Sequence, residues 1–311
     1  FVIEFIGFLI MASIFYFKYA YTILGSMSAS LFHTISAFNN AGFALYSNSL
    51  EAFGYDISLN LLFMILIFLG GIGFPVISEI ITYRRIRRFS LHAKIVLYTS
   101  AFLIVAGAIM FFLMEFNNPQ TLGDKPLYIQ ILTSLFQSVT ARTAGFNTIS
   151  IASLNPSTLF FLSLLMFIGA SPGGTGGGIK TTTFVTVAAA GVSSIRGRSS
   201  VNLFKRRLPD SAIYRALTLT LTAIALVIFS TIGLLVFENC SFKDALFEAI
   251  SAFGTVGLTT GITGSLTMPG KIILILSMFI GRIGISTLSV AIAFRSSVSK
   301  ISYPEDTITI G

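Results

Sequence analysis

The sequence is poor in cysteine, in histidine and in charged residues, and each shortage excludes a class of protein. Cys240 is the only cysteine of the 311 residues, and the two histidines, His33 and His92, stand far apart. A disulfide framework needs paired cysteines and a transition-metal site needs clustered ligands, so the sequence predicts neither. Charged residues make up only 10% of the chain, which is too few for the surface of a soluble protein of this length.

What the sequence has instead is long apolar segments. Hydrophobic residues make up 54% of the chain, and the mean hydropathy is +0.87. A membrane-spanning helix needs about 20 mostly apolar residues. The segments that come close to this length are 1–24, 57–83, 92–116, 157–195, 211–238 and 270–296. The sequence therefore predicts an all-α membrane protein.

The net charge of +8 indicates membrane topology rather than a nucleic-acid partner. Basic residues cluster in two short loops between apolar segments, 84–94 and 196–215. Because Lys and Arg accumulate in cytoplasmic loops, both are expected to face the cytoplasm. The other connections carry scattered charges and are expected to enter the membrane from outside.

A short stretch of sequence occurs three times. Each copy is an amphipathic run with an aromatic residue in its middle, followed by a small or hydroxylic pair and a glycine. The copies occupy residues 30–43, 134–146 and 245–258. Such self-similarity indicates a duplicated unit. Because each copy lies between two apolar segments, the predicted unit is a helix, a half-buried hairpin and a second helix.

Each copy has the features of a short helix that enters the membrane without crossing it. Ser241 followed by Asp244 resembles a capping box, and Asp124 before Pro126 fits a helix start. The apolar run is too short to span a bilayer. Non-helical backbone at that depth is tolerated only where it is buried in protein or lines a water-filled cavity.

The chemistry expected at these stretches is cation binding by backbone oxygens. Aligned carbonyls at a helix C-terminus carry roughly half a negative charge, and a following glycine can turn the backbone at positive φ without steric cost. Several such ends aimed at one axis predict a ring of oxygens that replaces part of the hydration shell of an alkali cation. An ordinary loop with a helical turn is the alternative for each copy.

The three copies resemble the second, third and fourth pore-loop signatures of the KtrB/TrkH superfamily of potassium transporters, closest to its KtrB-type membrane subunits. The matching segments read Ser-Ala-Phe-Asn-Asn-Ala-Gly-Phe, Thr-Ala-Arg-Thr-Ala-Gly-Phe-Asn and Ser-Ala-Phe-Gly-Thr-Val-Gly-Leu-Thr. The resemblance runs through essentially the whole chain. It includes a Gly-rich break at 169–178 and the run Gly281-Arg282-Ile283-Gly284.

This resemblance implies repeated helix–pore-loop–helix units around a pseudo-fourfold central pore. The repeats would be 1–83, 84–195 and 196–296, followed by a cytoplasmic tail at 297–311, with the first repeat missing N-terminal to Phe1. Backbone carbonyls of a selectivity filter would bind K⁺, the transported ion. The residues of this filter would be Asn40, Ala41, Gly42, Phe43, Thr143, Ala144, Gly145, Phe146, Thr255, Val256, Gly257 and Leu258.

The Gly-rich run at 169–178 interrupts an apolar segment. Glycines before Lys and Thr are typical of a phosphate-binding loop, but Ile179 separates the last glycine from Lys180 and the flanks are apolar helix. The resemblance implies an intramembrane gate instead, with Ser171, Thr175 and Lys180 facing a wet cavity. A kink without gating is the alternative. The implied gating residues are Gly173, Gly174, Thr175, Gly176, Gly177, Gly178, Lys180 and Arg282.

Few charged residues fall inside the apolar segments. A lone charge such as Arg282 costs about 2.5–3.5 kcal/mol at the bilayer centre, so it is expected to face the pore or to pair with an acid such as Glu79. Glu4 and Glu115 are expected at the ends of spans rather than in a proton relay. Arg142 is expected to brace its loop through an ion pair. These scattered charges do not indicate an enzyme, and no organic cofactor is expected.

The resemblance also implies partners. It predicts a homodimer in the cell membrane, resting on a cytosolic ring of nucleotide-binding regulatory subunits of the KtrA type. The basic loops are the expected docking surfaces for that ring or for anionic lipid. The predicted function is K⁺ uptake, with a Na⁺-selective or Na⁺-coupled transporter of the same fold as the alternative. A membrane-embedded enzyme or a non-conducting scaffold is the rival from another class.

Overall fold

The structure is a computed structural model that describes residues 1–198 and 200–283. Its helices are α1 (Val2–Tyr19), α2 (Ile23–Phe38), α3 (Ile57–Gly71), α4 (Phe74–Ile86), α5 (Leu91–Glu115), α6 (Leu127–Thr140), α7 (Pro156–Phe167), α8 (Thr181–Ile195), α9 (Asp210–Phe237), α10 (Phe242–Gly254) and α11 (Met268–Ile283). A small hairpin pairs β1 (Asn202–Leu203) antiparallel with β2 (Arg206–Arg207). The predicted tail at 297–311 and Gly284 lie outside the described residues.

Helices long and apolar enough to cross a membrane agree with the predicted class. Among the described residues these are α1, α5 and α9, and α3 with α4 makes a fourth candidate if that bent pair is one span. The helices α7 and α8 are shorter and are separated by the Gly-rich run. The all-α class is therefore confirmed, and the predicted break in the segment 157–195 is present.

The segment 57–83 is not one continuous helix, which corrects the sequence-based prediction. Instead, α3 and α4 meet at a bend of 102°. Gly73 stands at the bend with φ 91, and Pro75 lies in the first turn of α4. A proline fits a first helical turn but cannot continue a preceding helix, since it has no N–H to donate. The Gly-rich run fills the corner, where Phe74 N donates to the Gly173 carbonyl at 3.2 Å.

The helix of each repeated stretch is packed between longer helices. In the first unit α2 contacts α1 and α3, and in the second α6 contacts α5 and α3. In the third unit α10 contacts α9 and α11, and it also reaches α7 of the second unit. The second and third repeated stretches are therefore mostly buried, while the first keeps exposed side chains such as Leu31 and Phe43, as α1, α5 and α9 do.

Asp56 fastens the end of α1 to the start of α3. Its carboxylate accepts from Leu59 N at 3.1 Å and from the Tyr19 hydroxyl at 2.7 Å. It also pairs with Lys18 Nζ at 2.9 Å. Burial raises the pKa of the Asp56 carboxyl, but the hydrogen bonds from Tyr19, Lys18 and the Leu59 amide outweigh it, so this pKa lies below its ordinary value.

Replacement of Asp56 by Ala is expected to lower the melting temperature of the purified protein, since loss of the helix cap alone costs about 1 kcal/mol. Because the folded pKa is depressed, this stabilisation is complete above about pH 4 and is lost as the pH falls through the folded pKa. Thermal melting in detergent between pH 3 and pH 7 checks both effects. Asp124→Ala removes an exposed carboxylate and serves as the control; equal losses in the two variants would contradict the prediction.

Candidate functional site

Each repeated stretch folds as a short helix followed by a turn that contains its glycine. The helices α2, α6 and α10 have 16, 14 and 13 residues, fewer than a span requires. The predicted cap of α10 is present, because Ser241 Oγ accepts from Asp244 N at 3.3 Å. Gly42, Gly145 and Gly257 take φ values of 75, 81 and 94, in the left-handed region that glycine reaches without strain.

The three glycines lie close together in the structure. A Cβ atom built on Gly42 would lie 2.7 Å from the Ala144 carbonyl oxygen and 3.2 Å from Gly145 Cα. A Cβ built on Gly145 would overlap the Val256 carbonyl oxygen, and one on Gly257 would lie 3.7 Å from Gly145 Cα. The carbonyls that immediately precede two of the glycines therefore lie against the neighbouring stretch. There is no room between Gly42 and Gly145 for a side chain.

The residue two positions before each glycine is also in the left-handed region. These residues are Asn40, Thr143 and Thr255, with φ values of 50, 75 and 50. Left-handed backbone costs a residue with a Cβ about 1–2 kcal/mol, so the surrounding contacts must impose it. Asn40 Nδ2 donates to Thr143 Oγ1 at 3.4 Å, which joins the first two turns at this level.

The carbonyl after each glycine is held by a hydroxyl group of the preceding helix. These three bonds, which we name the hydroxyl clasps, run from Ser36 Oγ to Phe43 O at 2.7 Å, from Thr140 Oγ1 to Phe146 O at 2.7 Å and from Ser251 Oγ to Leu258 O at 2.6 Å. The donors occupy the same position in every copy. The clasps therefore turn these three carbonyls toward the protein.

The Gly-rich run lies directly against all three stretches. Thr175 Oγ1 donates to Phe38 O of the first stretch at 3.3 Å, and Gly177 N donates to Thr255 Oγ1 of the third at 3.0 Å. Gly176 packs on the second stretch, because a Cβ built on it would overlap Thr143 Oγ1. Gly173 and Gly178 take φ values of 75 and 70. Gly174 packs on α3, where a built Cβ would lie 2.6 Å from Gly71 O.

Two basic side chains hold the run in place. Lys180 Nζ donates to the Gly176 carbonyl at 2.7 Å, and Arg282 donates to the Thr175 carbonyl. The proposed pairing of Arg282 with Glu79 is wrong, because the Glu79 carboxylate instead accepts from Ser90 N at 2.9 Å and from Ser90 Oγ at 2.7 Å.

Ser171 does not face a cavity, in contrast to the sequence-based expectation. It is fully buried, and its hydroxyl accepts from Thr181 Oγ1 at 2.9 Å. This bond joins the start of the Gly-rich run to the start of α8. The polar side chains of the run therefore divide between Ser171, which fastens the run to its own unit, and Thr175, which reaches the first stretch.

A cavity of about 660 Å³ adjoins Gly257. The first and third stretches line it through residues such as Asn40, Ala41 and Val256, and Arg282 of α11 lies at its wall. In the described part of the chain, no group of three His, Cys, Asp or Glu side chains could hold a metal ion. The Arg282 guanidinium at this wall would oppose a cation in the cavity.

Two further charged residues differ from expectation. Arg142 is 8% exposed, but within the ranges 1–198 and 200–283 it makes no ion pair. Glu115 ends α5 as expected, yet it is fully buried and accepts from Asn155 N at 2.9 Å and from the hydroxyls of Thr121 and Thr158. It ties α5 to α7, a role that its position in the sequence did not indicate.

The comparisons with known proteins agree with one another. Residues 1–301 match the family model TrkH, described as cation transport protein. The chain is 41% identical to Ktr system potassium uptake protein B of Bacillus subtilis over 91% of this chain, and 40% identical to the protein of the same name from Vibrio alginolyticus over 92% of this chain. It spans 63% of the length of each of these relatives.

Two further similarities concern ion type and fold. Potassium/sodium uptake protein NtpJ of Enterococcus hirae is 36% identical over 91% of this chain and 64% of its own length. The crystal structure of the potassium transporter TrkH from Vibrio parahaemolyticus superimposes with a TM-score of 0.74, covering 91% of this chain and 61% of the other at 19% identity. At that identity the structural match shows the fold alone.

Two glycines of the long helices allow the short helices to end close beside them. A Cβ built on Gly70 of α3 would overlap the Phe38 carbonyl, and one built on Gly281 of α11 would overlap the Phe253 carbonyl. Both carbonyls belong to the last turn of a short helix. Backbone atoms cannot move aside as a flexible side chain can.

Gly70→Ala and Gly281→Ala are therefore each expected to lower the melting temperature of the protein, since overpacking costs typically about 1–3 kcal/mol. Gly191→Ala in α8 is the matched control, because a Cβ there meets nothing within 4 Å and alanine favours a helix. Melting curves of the three variants in one detergent make the comparison. If Gly70→Ala and Gly281→Ala have the same melting temperature as Gly191→Ala, the predicted clash with the helix-end carbonyls is wrong.

Proposed function

The chain belongs to the TrkH family of cation transport proteins, and from this premise we propose that it conducts K⁺ along a passage lined by the stretches that carry its three glycines. The observation that carries the proposal is the contact among Gly42, Gly145 and Gly257, with the Ala144 and Val256 carbonyls lying against neighbouring stretches. As a multi-pass membrane protein of this family, the chain would place that contact between membrane-spanning helices.

We propose that the carbonyls before the glycines form the filter. The short helices end just before these residues, so the negative end of each helix dipole favours a cation there. The proposed filter carbonyls are those of Asn40, Ala41, Thr143, Ala144, Thr255 and Val256, together with the glycines. Carbonyl oxygens replace the hydration shell of K⁺ in such sites. The three carbonyls held by the hydroxyl clasps are proposed to keep the filter rigid rather than to bind the ion.

The Gly-rich run is proposed to be the gate. Its support is the set of contacts with all three stretches and the two cations, Lys180 and Arg282, whose side chains donate to its carbonyls. Glycine-rich backbone can change conformation at low steric cost. Movement of the run would open the passage, and the positive charges beside it would slow cation flow.

The partners are proposed from the relatives. Two of them are named as parts of a Ktr system, so we propose that a KtrA-type cytosolic nucleotide-binding subunit docks on the basic loops 84–94 and 196–215, on a homodimer of the membrane subunit. Anionic lipid would bind the same loops. The division into repeats at 1–83, 84–195 and 196–296 stays a prediction.

K⁺ is proposed as the main ion, and Na⁺ is the competitor to test. One relative carries both ions in its name. In proteoliposomes that contain the full-length protein, excess K⁺ is expected to abolish uptake of labelled K⁺, while the same concentration of Na⁺ leaves most of it. Equal block by the two ions would favour the sodium alternative.

The full-length protein is expected to restore growth of potassium-uptake-deficient cells at low K⁺, and Gly257→Ser is expected to reduce K⁺ uptake about tenfold or more, because a serine at φ 94 is strained by about 1–3 kcal/mol. Gly191→Ser is the control, as its surroundings are open. Uptake is measured as initial rate per amount of protein in the membrane. Wild-type uptake by Gly257→Ser, or no uptake by the unmodified protein, would contradict the proposed function.

Arg282→Ala is expected to raise the initial K⁺ uptake rate severalfold, because it removes both a bond to the Thr175 carbonyl and a positive charge beside the passage. Arg198→Ala, which removes a charge from the loop after α8, is the control. Flux assays in proteoliposomes without a partner protein isolate the effect. An unchanged or lower rate in Arg282→Ala would remove Arg282 from the gate.

A further inference from the structure

One position of the repeated stretch carries a buried polar side chain in every copy. It directly follows the central aromatic residue of the short helix, and its occupants are His33, Gln137 and Glu248, which are 0%, 0% and 4% exposed. Polar and ionisable side chains within a membrane protein are costly unless they are paired. Three of them at one position of a repeat indicate a shared task.

Two of these side chains accept a hydrogen bond from the backbone amide at the equivalent position after their glycine. His33 Nε2 accepts from Leu45 N at 3.3 Å, and Glu248 Oε1 accepts from Thr260 N at 3.2 Å. Leu45 and Thr260 are each the third residue after the glycine of their stretch. The bond thus reaches from the helix on one side of the filter glycine to the backbone on its other side.

The chemistry of His33 fits an acceptor role. Its Nδ1 lies 2.7 Å from the Ala29 carbonyl, which requires a hydrogen on Nδ1. The other ring nitrogen of a neutral imidazole then has a free lone pair for the Leu45 amide. The ring is also fixed by stacking on Tyr46, with the centroids 5.3 Å apart.

Glu248 makes the larger set of bonds. In addition to the Thr260 amide, its carboxylate accepts from the hydroxyls of Thr259 and Thr263, the latter at 2.9 Å. Thr259 and Thr263 are themselves 2.8 Å apart between hydroxyl oxygens. Bonds to an ionised acceptor are stronger than neutral ones, so this carboxylate holds the whole segment 259–263 against α10.

The second copy is fastened differently. Both polar atoms of the Gln137 side chain and the hydroxyl of Thr148, which is the third residue after Gly145, are buried without a partner in the described structure. Here the segment after the glycine is held by the loop between α2 and α3, through Leu50 N donating to the Asn147 carbonyl at 3.0 Å and Asn147 Nδ2 donating to Glu51 at 2.9 Å.

We propose that His33 and Glu248 are positioning residues for ion selection. This inference rests on the proposed function. Their bonds to Leu45 N and Thr260 N, together with the hydroxyl clasps of Ser36 and Ser251, fix the backbone on both sides of Gly42 and Gly257. The filter carbonyls therefore cannot move closer together around the smaller Na⁺ ion. Glu248 acts through the Thr260 amide and the two threonine hydroxyls and does not touch the ion. A merely space-filling polar side chain would affect stability but not the choice of ion.

The experiment compares Glu248→Ala with Glu248→Gln in the full-length protein reconstituted in liposomes. Glutamine keeps one oxygen that can accept from Thr260 N, while it removes the charge and replaces the oxygen that accepts from Thr263 by an NH₂ group. The readout is the ratio of initial K⁺ uptake to initial Na⁺ uptake at equal ion concentrations. Glu248→Ala is expected to lower this ratio about threefold to tenfold, as for the loss of one ordinary hydrogen bond, and Glu248→Gln is expected to restore most of it.

Two more variants complete the test. Asp244→Asn removes a carboxylate from the first turn of the same helix and is expected to keep the unmodified ratio. The double variant Thr259→Val with Thr263→Val removes two donors to Glu248 but changes no residue of α10. It tests the positioning role of Glu248 if Glu248→Ala does not fold. It is expected to lower the ratio in the same direction.

The outcomes separate this inference from the proposed function. Absence of K⁺ uptake by the unmodified protein overturns the proposed function itself. K⁺ uptake with an unchanged K⁺ to Na⁺ ratio in both Glu248→Ala and the double threonine variant overturns the positioning role alone. A lowered ratio in Glu248→Gln equal to that in Glu248→Ala also overturns it, because the charge and not the hydrogen bond would then select the ion.

Discussion

A helix that stops between membrane-spanning helices leaves its last carbonyl groups without partners, and no bulk water is there to supply them. The fold meets this constraint at the end of each repeated stretch. The turn after each helix supplies amide donors, with Ala41 N bonding the Ser36 carbonyl, Ala144 N the Thr140 carbonyl and Val256 N the Ser251 carbonyl. Thr175 also bonds the Phe38 carbonyl, and the hydroxyl clasps hold the carbonyls that follow the three glycines. The Ala144 and Val256 carbonyls, which precede two of the glycines, lie against the neighbouring stretches. These are among the oxygens that we propose to bind a cation.

The three copies share one backbone conformation at their glycines but differ in their side chains. The clasp donor is a serine in two copies and a threonine in the other, while the position after the aromatic holds histidine, glutamine or glutamate. The backbone geometry is closely matched, with positive φ both at each glycine and two residues before it. A duplicated unit can therefore keep its shape while each copy forms different contacts with its neighbours.

Much of this arrangement could be predicted from the sequence. The apolar lengths predicted the long helices, and the repeated pattern placed α2, α6 and α10 with their glycines. The bend at Gly73 was missed because the run of apolar residues continues through it, although Gly73 and Pro75 at the bend were a local signal. The burial of Ser171 and Glu115 was also missed, since their partners lie in other helices. The clasps had a signal, namely a hydroxyl at one position of every copy, but its meaning depended on three-dimensional contacts.

The bond from Gly177 N to Thr255 Oγ1 couples the Gly-rich run to the turn that precedes Gly257. Thr255 lies two residues before Gly257, so one hydrogen bond is shared by the Gly-rich run and the turn that presents the glycine. A displacement of the run must break that bond and relax the strained backbone of Thr255. By thermodynamic reciprocity, an ion that favours one geometry of the turn must favour one position of the run to the same extent. Under the proposed function, ion occupancy beside Gly257 and opening of the Gly-rich run are therefore thermodynamically coupled.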